Sequence, residues 1–384
     1  MFEPRVLIDA TAVPADRGGV GRYVDCLVAA LDADGAAPMV VCQPRDAELY
    51  AALAPHADVV PAVERLVART ARLTWEQTTL PWLARRARVS VLHCPHYTMP
   101  LVSQLPTVVT LHDATFFTDP GVHSPVKARF FRAWTRASLR RAQICVVPSV
   151  ATARELGRIT GADVNHLQVV HHGVDTARFH PPSPEEVAAV RRRLRLGENP
   201  YVAFLGALEP RKNVPALIRG FALASQFLAG RPYPPVLVLG GQPGWDGGVE
   251  RELQAVPHRI RVLRAGYLPL GQLSGFLGGA DVVAYPSLGE GFGLPVLEAM
   301  AAGAAVLTTR RLALPEVGGD AVAYCGIDAK DIAAGIVELL TDPARRAELS
   351  TAAQRRAKEF SWEASAALHR EAYGKAVAAH RRSR

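Results

Sequence analysis

At 384 residues, 49% hydrophobic and 21% charged, the chain is longer than one ordinary core supports, so two folded domains are expected and a disordered or fibrous chain is excluded. The net charge of +8 is diffuse, 19 basic against 16 acidic residues over 1–180 and 25 against 20 beyond, which is not the footprint of a nucleic-acid module. Five scattered cysteines without a C-x-x-C spacing argue against a disulfide framework or structural zinc, and with no signal peptide or bilayer-spanning run legible, a reducing cytoplasm is the expected location.

Short apolar, β-branched runs at 5–11, 38–43, 89–95, 107–113, 144–149 and 167–172 alternate with longer amphipathic stretches. That rhythm predicts a parallel sheet covered by helices on both faces. Pro181, Pro182 and Pro184 then crowd the stretch 173–199 and mark a domain boundary at about 180. The rhythm restarts with runs at 200–208, 236–241, 261–268, 281–287, 304–309 and 321–325. The expected fold class is α/β, with two doubly wound parallel-sheet domains over 1–180 and 181–361. After Asn213, a plausible N-cap, the spacing of Val214, Leu217, Ile218 and Phe221 predicts a helix with Pro215 in its first turn. Open parallel sheets bind ligands beyond the carboxyl ends of their strands, so chemistry is sought in those loops.

The strongest local signal is 286–300, PSLGEGFGLPVLEAM, running from a strand end through Gly289, Gly291 and Gly293 into a helix entered at Pro295. Glycines let a backbone approach a phosphate, and a helix N-terminus favours an anion. Glu290 in the loop and Glu298 one turn into the helix can each accept hydrogen bonds from a sugar diol. Either carboxylate alone would pass for an ordinary surface or helix-end residue; among those glycines the ligand reading is the stronger. Arg211 and Lys212 lie between a strand and a helix start, a poor place for cations unless an anion offsets them.

The pattern E-G-F-G-L-P-x-x-E at 290–298 resembles the signature of the large retaining GT-B family with two glutamates in fixed spacing, glycosyltransferase family 4, which includes sucrose synthases and many bacterial mannosyltransferases. GGVGRY at 18–23, LHDATFF at 111–117, VVHHGVDTARFHP at 169–181, GALEPRKN at 206–213 and FSW at 360–362 support it in order and spacing. The resemblance implies a GT-B fold, two Rossmann-like domains facing a central cleft. Residues 1–180 take the acceptor side and 181–361 bind a nucleotide-sugar, with a C-terminal helix at about 362–384 packing back on the first domain. It implies transfer of a hexose with retention of configuration and without a metal or other cofactor. Glu290 would grip the donor hexose beside the backbone of Gly291, Phe292, Gly293 and Leu294, and Glu298 would hold the ribose. Arg211 and Lys212 would stabilise the departing diphosphate. Gly18 and Gly19, expected in the loop after the first strand, would approach the donor phosphates or the acceptor, and His112 the donor sugar. GDP-mannose is the expected donor, a UDP-hexose the alternative, and the partner a glycan or glycolipid acceptor. Two departures stand out: Ala207 where relatives often carry arginine, and His172 where they commonly carry asparagine.

His93, His96, His171 and His172 invite a metal reading, but neighbours on a strand point to opposite faces, and Asp32-Ala33-Asp34 reads as turn chemistry before a strand. No strand–GxGxxG–helix unit supports a dehydrogenase. A GT-B nucleotide-sugar epimerase and a non-catalytic carbohydrate-binding protein share the fold and stand as the competing classes. Between Pro120 and Arg154 there is no acidic residue, while Lys127, Arg129, Arg132, Arg136, Arg140 and Arg141 alternate with Phe130, Phe131 and Trp134. Two readings stay open for 126–141: a helix lying peripherally on the inner face of an anionic membrane, or one with its aromatics in the core and its arginines solvated.

Overall fold

A computed structural model describes residues 4–382 apart from 16, 64, 65, 67, 164 and 165, with residue 122 described by its backbone alone. The chain divides into two compact units, Met1–Gly173 together with Ser361–Arg384, and Val174–Phe360.

In the first unit the strands are β1 Val6–Asp9, β2 Met39–Cys42, β3 Asp58–Pro61, β4 Val91–Cys94, β5 Thr107–Thr110, β6 Ile144–Val147 and β7 Leu167–Val169. All pair in parallel, in the order β3-β2-β1-β4-β5-β6-β7. Side-chain alternation splits β1 between two cores: Val6 and Ile8 pack on one face of the sheet, Leu7 on the other. The helix Trp362–Arg382 joins the Val6/Ile8 face through Ala366, Tyr373 and Ala376, against Tyr23 and Leu27 of the helix Gly18–Ala33. Strand β3 has no counterpart among the expected runs. It is a four-residue edge strand, only partly buried and closed by a proline, which the outer position tolerates.

The second unit contains β8 Tyr201–Leu205, β9 Val236–Gly240, β10 Arg261–Gly266, β11 Val282–Tyr285, β12 Val306–Thr309 and β13 Ala323–Cys325, parallel in the order β10-β9-β8-β11-β12-β13. Strands β8, β9, β11 and β12 are buried along their whole length, which is why they read as continuous apolar runs instead of alternating ones. The division falls at Gly173, ahead of the proline cluster at 181–184. Val174 and Phe179 belong to the second core, and Val174 N–H donates to Phe360 O at 3.0 Å. A Cβ at Gly173 would stand 2.2 Å from Trp362 N, so only glycine fits where the outgoing and returning chain touch.

In each unit the strand order reverses beside the first strand, between β1 and β4 and between β8 and β11. Such switch points are where doubly wound sheets open a crevice for ligands. Both units are therefore Rossmann-like. No described helix is long and apolar enough to cross a membrane.

Several local expectations need correction. Gly18 and Gly19 do not lie in a loop; they open the helix Gly18–Ala33, whose N-cap, Arg17, makes no side-chain capping bond. Asp32 is in the last turn of that helix and accepts from His56 Nδ1 at 3.1 Å, while Asp34 caps it and pairs with Arg370. Asn213 holds the N-cap position of the helix Val214–Phe227 in a left-handed conformation (φ 58°), but its side chain caps nothing there and donates to Ile327 O at 2.8 Å instead. The helix after the glycine loop spans Leu294–Ala301, with Pro295 in its first turn.

Candidate active site

The site in the second unit is built from the two loops leaving β8 and β11, the strands that flank its switch point. The loop after β8 is braced by the one after β9: Gly206 N–H donates to Gly240 O at 2.9 Å and Leu208 N–H to Gln242 O at 3.2 Å. It then turns through Pro210–Lys212 into the helix Val214–Phe227. The loop after β11 is stitched to it, because Leu288 N–H donates to Arg211 O at 2.8 Å and Ser287 Oγ reaches the same carbonyl at 2.9 Å.

These backbone ties bring three predicted residues together. Arg211 Nη1 stands 2.5 Å from Glu290 Oε2, and Lys212 Nζ 2.6 Å from Glu290 Oε1. The same Oε1 accepts from Ser287 Oγ at 2.8 Å and from the Tyr285 hydroxyl at 3.0 Å. Lys212 also bonds the Tyr285 hydroxyl, and Arg211 Nε pairs with Glu209 Oε2 at 2.9 Å. Glu290 is thus the anion that offsets two cations at a helix start. Tyr285, Ser287 and Glu209 were not singled out from the sequence; their positions at the last residue of a strand and beside the glycine and arginine loops were the available signal.

Burial and neighbouring charge compete over the protonation of this cluster. Removal from water alone would raise the Glu290 carboxyl, but Arg211 and then Lys212 outweigh it and bring the pKa down to about 2. For Lys212 burial and the neighbouring Arg211 both favour the neutral amine, Glu290 opposes them, and the pKa falls to about 8. The carboxylate is firmly ionised and the lysine is poised near neutrality.

Downstream, Gly293 takes φ 107° as the N-cap of Leu294–Ala301, and a Cβ there would come within 2.9 Å of Leu314 Cδ2. Phe292 is buried edge-on against Phe360, with ring centres 5.8 Å apart. Glu298 is no surface residue: it is buried at 3% exposure within the helix.

His112 lies in the first unit, just beyond β5. Its Nε2 is 2.7 Å from Pro95 O, and since a carbonyl only accepts, Nε2 carries the proton and Nδ1 the lone pair. Burial holds its pKa below the ordinary histidine value. Around it, Tyr23 packs edge-on at 5.2 Å and His96 at 5.8 Å. His172, the departure from asparagine, tilts over Tyr23 at 4.7 Å and stacks on Trp362 at 5.8 Å, a packing role. Behind them runs a buried chain of hydrogen bonds: Tyr373 hydroxyl to His93 Nδ1 at 2.9 Å, His93 Nε2 to Thr110 Oγ1 at 2.9 Å, and the Tyr23 hydroxyl to both Thr110 Oγ1 and His369 Nε2 at 2.8 Å. Among the described residues no group of three His, Cys, Asp or Glu side chains forms a metal site.

Comparison with known proteins gives this geometry its family. Residues 187–356 match the family described as glycosyl transferases group 1, and residues 17–178 match glycosyltransferase family 4. The O-antigen chain mannosyltransferase B of Escherichia coli is 31% identical over 284 residues, 73% of each chain. A D-inositol 3-phosphate glycosyltransferase of Salinispora tropica is 38% identical over 238 residues, 57% of this chain and about half (48%) of that relative. In fold, the chain is similar to the Anabaena HepE protein crystallised with UDP and glucose (TM-score 0.77, 18% identity, covering 97% of this chain and 99% of that one). It is equally similar to a sucrose-phosphate synthase from Thermosynechococcus elongatus (TM-score 0.77, 21% identity, 98% and 100%). The chain belongs to glycosyltransferase family 4 and is a glycosyltransferase of the GT-B fold.

Proposed function

We propose that the enzyme transfers mannose from GDP-mannose, with retention of configuration, to a hydroxyl of a glycan or glycolipid acceptor. The observation that carries this reading is the meeting of Arg211, Lys212 and Glu290 at the switch point of the second unit. Two cations fixed there before the reaction can stabilise the negative charge that grows on the departing diphosphate without reorganising. The bond between the anomeric carbon and the phosphate oxygen breaks, and an oxocarbenium-like centre develops. The acceptor oxygen bonds to that centre on the face the leaving group vacates, and its proton passes to the departing phosphate. No protein nucleophile and no metal is assigned a step.

In this reading Glu290 takes the donor hexose, the backbone of Gly291–Leu294 the phosphates at the helix N-terminus, and Glu298 the ribose. From the first unit, His112 attends the donor sugar, and the N–H groups of Gly18 and Gly19 at the start of their helix attend the phosphates or the acceptor. The mannosyltransferase relative favours mannose. A UDP-hexose is the alternative donor. The arginine-bearing helix Pro125–Arg141 supports a lipid-linked acceptor met at the cytoplasmic face of a membrane.

A panel of nucleotide-sugars scored by thermal shift tests the donor, since a ligand at about 100 times its dissociation constant stabilises by about 2.7 kcal/mol. The expected result is the largest shift with GDP-mannose. The largest shift with a UDP-hexose moves the donor to the alternative, and no shift with any nucleotide-sugar refutes the assignment of the site.

A further inference from the structure

We propose that the first unit docks on an anionic lipid bilayer through Trp82, Leu101 and Val102, ringed by Arg85, Arg86 and Arg141. Trp82 is 59% exposed, Leu101 39% and Val102 81%. Single exposed apolar side chains are ordinary, but these are grouped. Pro81, Trp82, Arg85, Arg86, Val102 and Gln104 line one shallow depression of about 530 Å³. Leu101 adjoins it, and its carbonyl accepts from Arg141 Nη1 at 3.1 Å, which ties the end of the helix Pro125–Arg141 to the same face.

The stretches that supply this patch carry charge of one sign. No acidic residue occurs from Gln77 to His112, nor from Pro120 to Arg154, and those stretches supply the whole patch. Arg85 and Arg86 in the last turn of the helix Arg69–Arg86 suit its dipole in any case. That explains the arginines and leaves the exposed tryptophan and valine beside them unexplained. The Arg86 guanidinium sits 5.6 Å from the Trp82 ring centre, so the aromatic body and the cation are presented together.

Tryptophan with aliphatic neighbours suits the headgroup boundary of a bilayer, and arginine suits its phosphates. A nucleic-acid surface would offer aromatic platforms for stacking, where this one has Leu101 and Val102. The surface also differs from the basic helix as read from sequence. Phe130, Phe131 and Trp134 are half-buried, with Phe131 stacked on Phe116 at 4.5 Å, so the helix Pro125–Arg141 contributes Arg141 and the inserting side chains come from Trp82 and the 101–102 turn. The inference does not depend on which donor sugar is used.

The test is co-sedimentation of the full chain with phosphatidylcholine vesicles, with and without phosphatidylglycerol, at low and high salt. Binding is expected only with phosphatidylglycerol and is expected to weaken with salt. Arg85→Glu/Arg86→Glu should weaken it roughly 10- to 1000-fold, and Trp82→Ser/Val102→Ser should weaken it while leaving the salt dependence in place. Unchanged melting temperature and nucleotide binding in both variants show that the fold and donor site are intact. The proposal is overturned if the wild-type chain ignores phosphatidylglycerol at low salt, if both variants bind as the wild type does, or if polyuridylate binds more tightly than the vesicles.

Discussion

Lys212 and Glu290, on loops leaving neighbouring strands, meet at 2.6 Å with side chains only 7% and 8% exposed. A buried pair of this kind contributes little net stability, because desolvation offsets most of the attraction, but it holds a cation and an anion in fixed places. Arg211 completes it at 2.5 Å from the other carboxylate oxygen.

The lysine should set an alkaline limit on activity. Its pKa is lowered to about 8 by burial and by Arg211, so the cation is lost from the free enzyme above that pH. The stability term runs the other way. A lysine whose folded pKa lies below its ordinary 10.5 costs stability while protonated in both states, and the cost fades as pH rises from about 8 to 10.5. The expected profile is a fall in kcat/KM above about pH 8 with no Lys212-linked loss of melting temperature, and a limb shifted to higher pH in Lys212→Arg.

Glu290→Gln should act on rate and fold together. Turnover should drop roughly 10²- to 10³-fold, the scale for losing one preorganised polar group. Arg211 keeps its pair with Glu209, but leaving Lys212 buried without its counter-charge should cost about 3–5 kcal/mol. Denaturant unfolding and steady-state kinetics of the same preparation separate the two effects.

Gly244 lies outside every recognised motif, yet a Cβ there would stand 2.0 Å from Leu208 O, backbone that cannot yield without moving the loop that carries Arg211 and Lys212. Gly244→Ala should therefore raise KM for the donor and leave the first unit untouched, as donor-titration kinetics would record.

The first unit should be acid-sensitive. Burial keeps His369 neutral, with a pKa of about 4, and drives His93 well below its ordinary value. The unfolded chain takes up protons near 6.5 and the folded chain does not, so this stabilisation is present above about 6.5 and is lost as pH falls from there towards 4. Melting temperature should decline over that window. At neutral pH Tyr373→Phe, which removes the partner of His93 Nδ1, should cost about 1–3 kcal/mol.

Much of this was legible in the chain. Short apolar runs announced twelve of the described strands, and the Gly289–Gly293 loop announced where Glu290 sits. Edge strand β3 escaped because a short, half-exposed run ending in Pro61 carries no alternation. The hydrogen bonds from Tyr285 and Ser287 to Glu290 are local, but they escaped because they depend on how the chain folds back on itself over 285–290, which residue spacing alone does not encode. Gly18 and Gly19 were misplaced because a glycine pair reads as a turn, although here it opens a helix. The tie between Tyr23 and His369 joins residues 346 positions apart, beyond any local pattern.

The most direct test of the central claim is calorimetric titration of GDP and of UDP into the wild-type enzyme and Arg211→Met/Lys212→Met, in the presence of EDTA. The account predicts that one nucleotide binds the wild type without metal and that the double variant loses at least ~10-fold in affinity, the loss of about 1.4 kcal/mol expected from removing charge-assisted contacts to phosphate. Equal binding by both proteins, or binding that appears only when a divalent cation is restored, would contradict it.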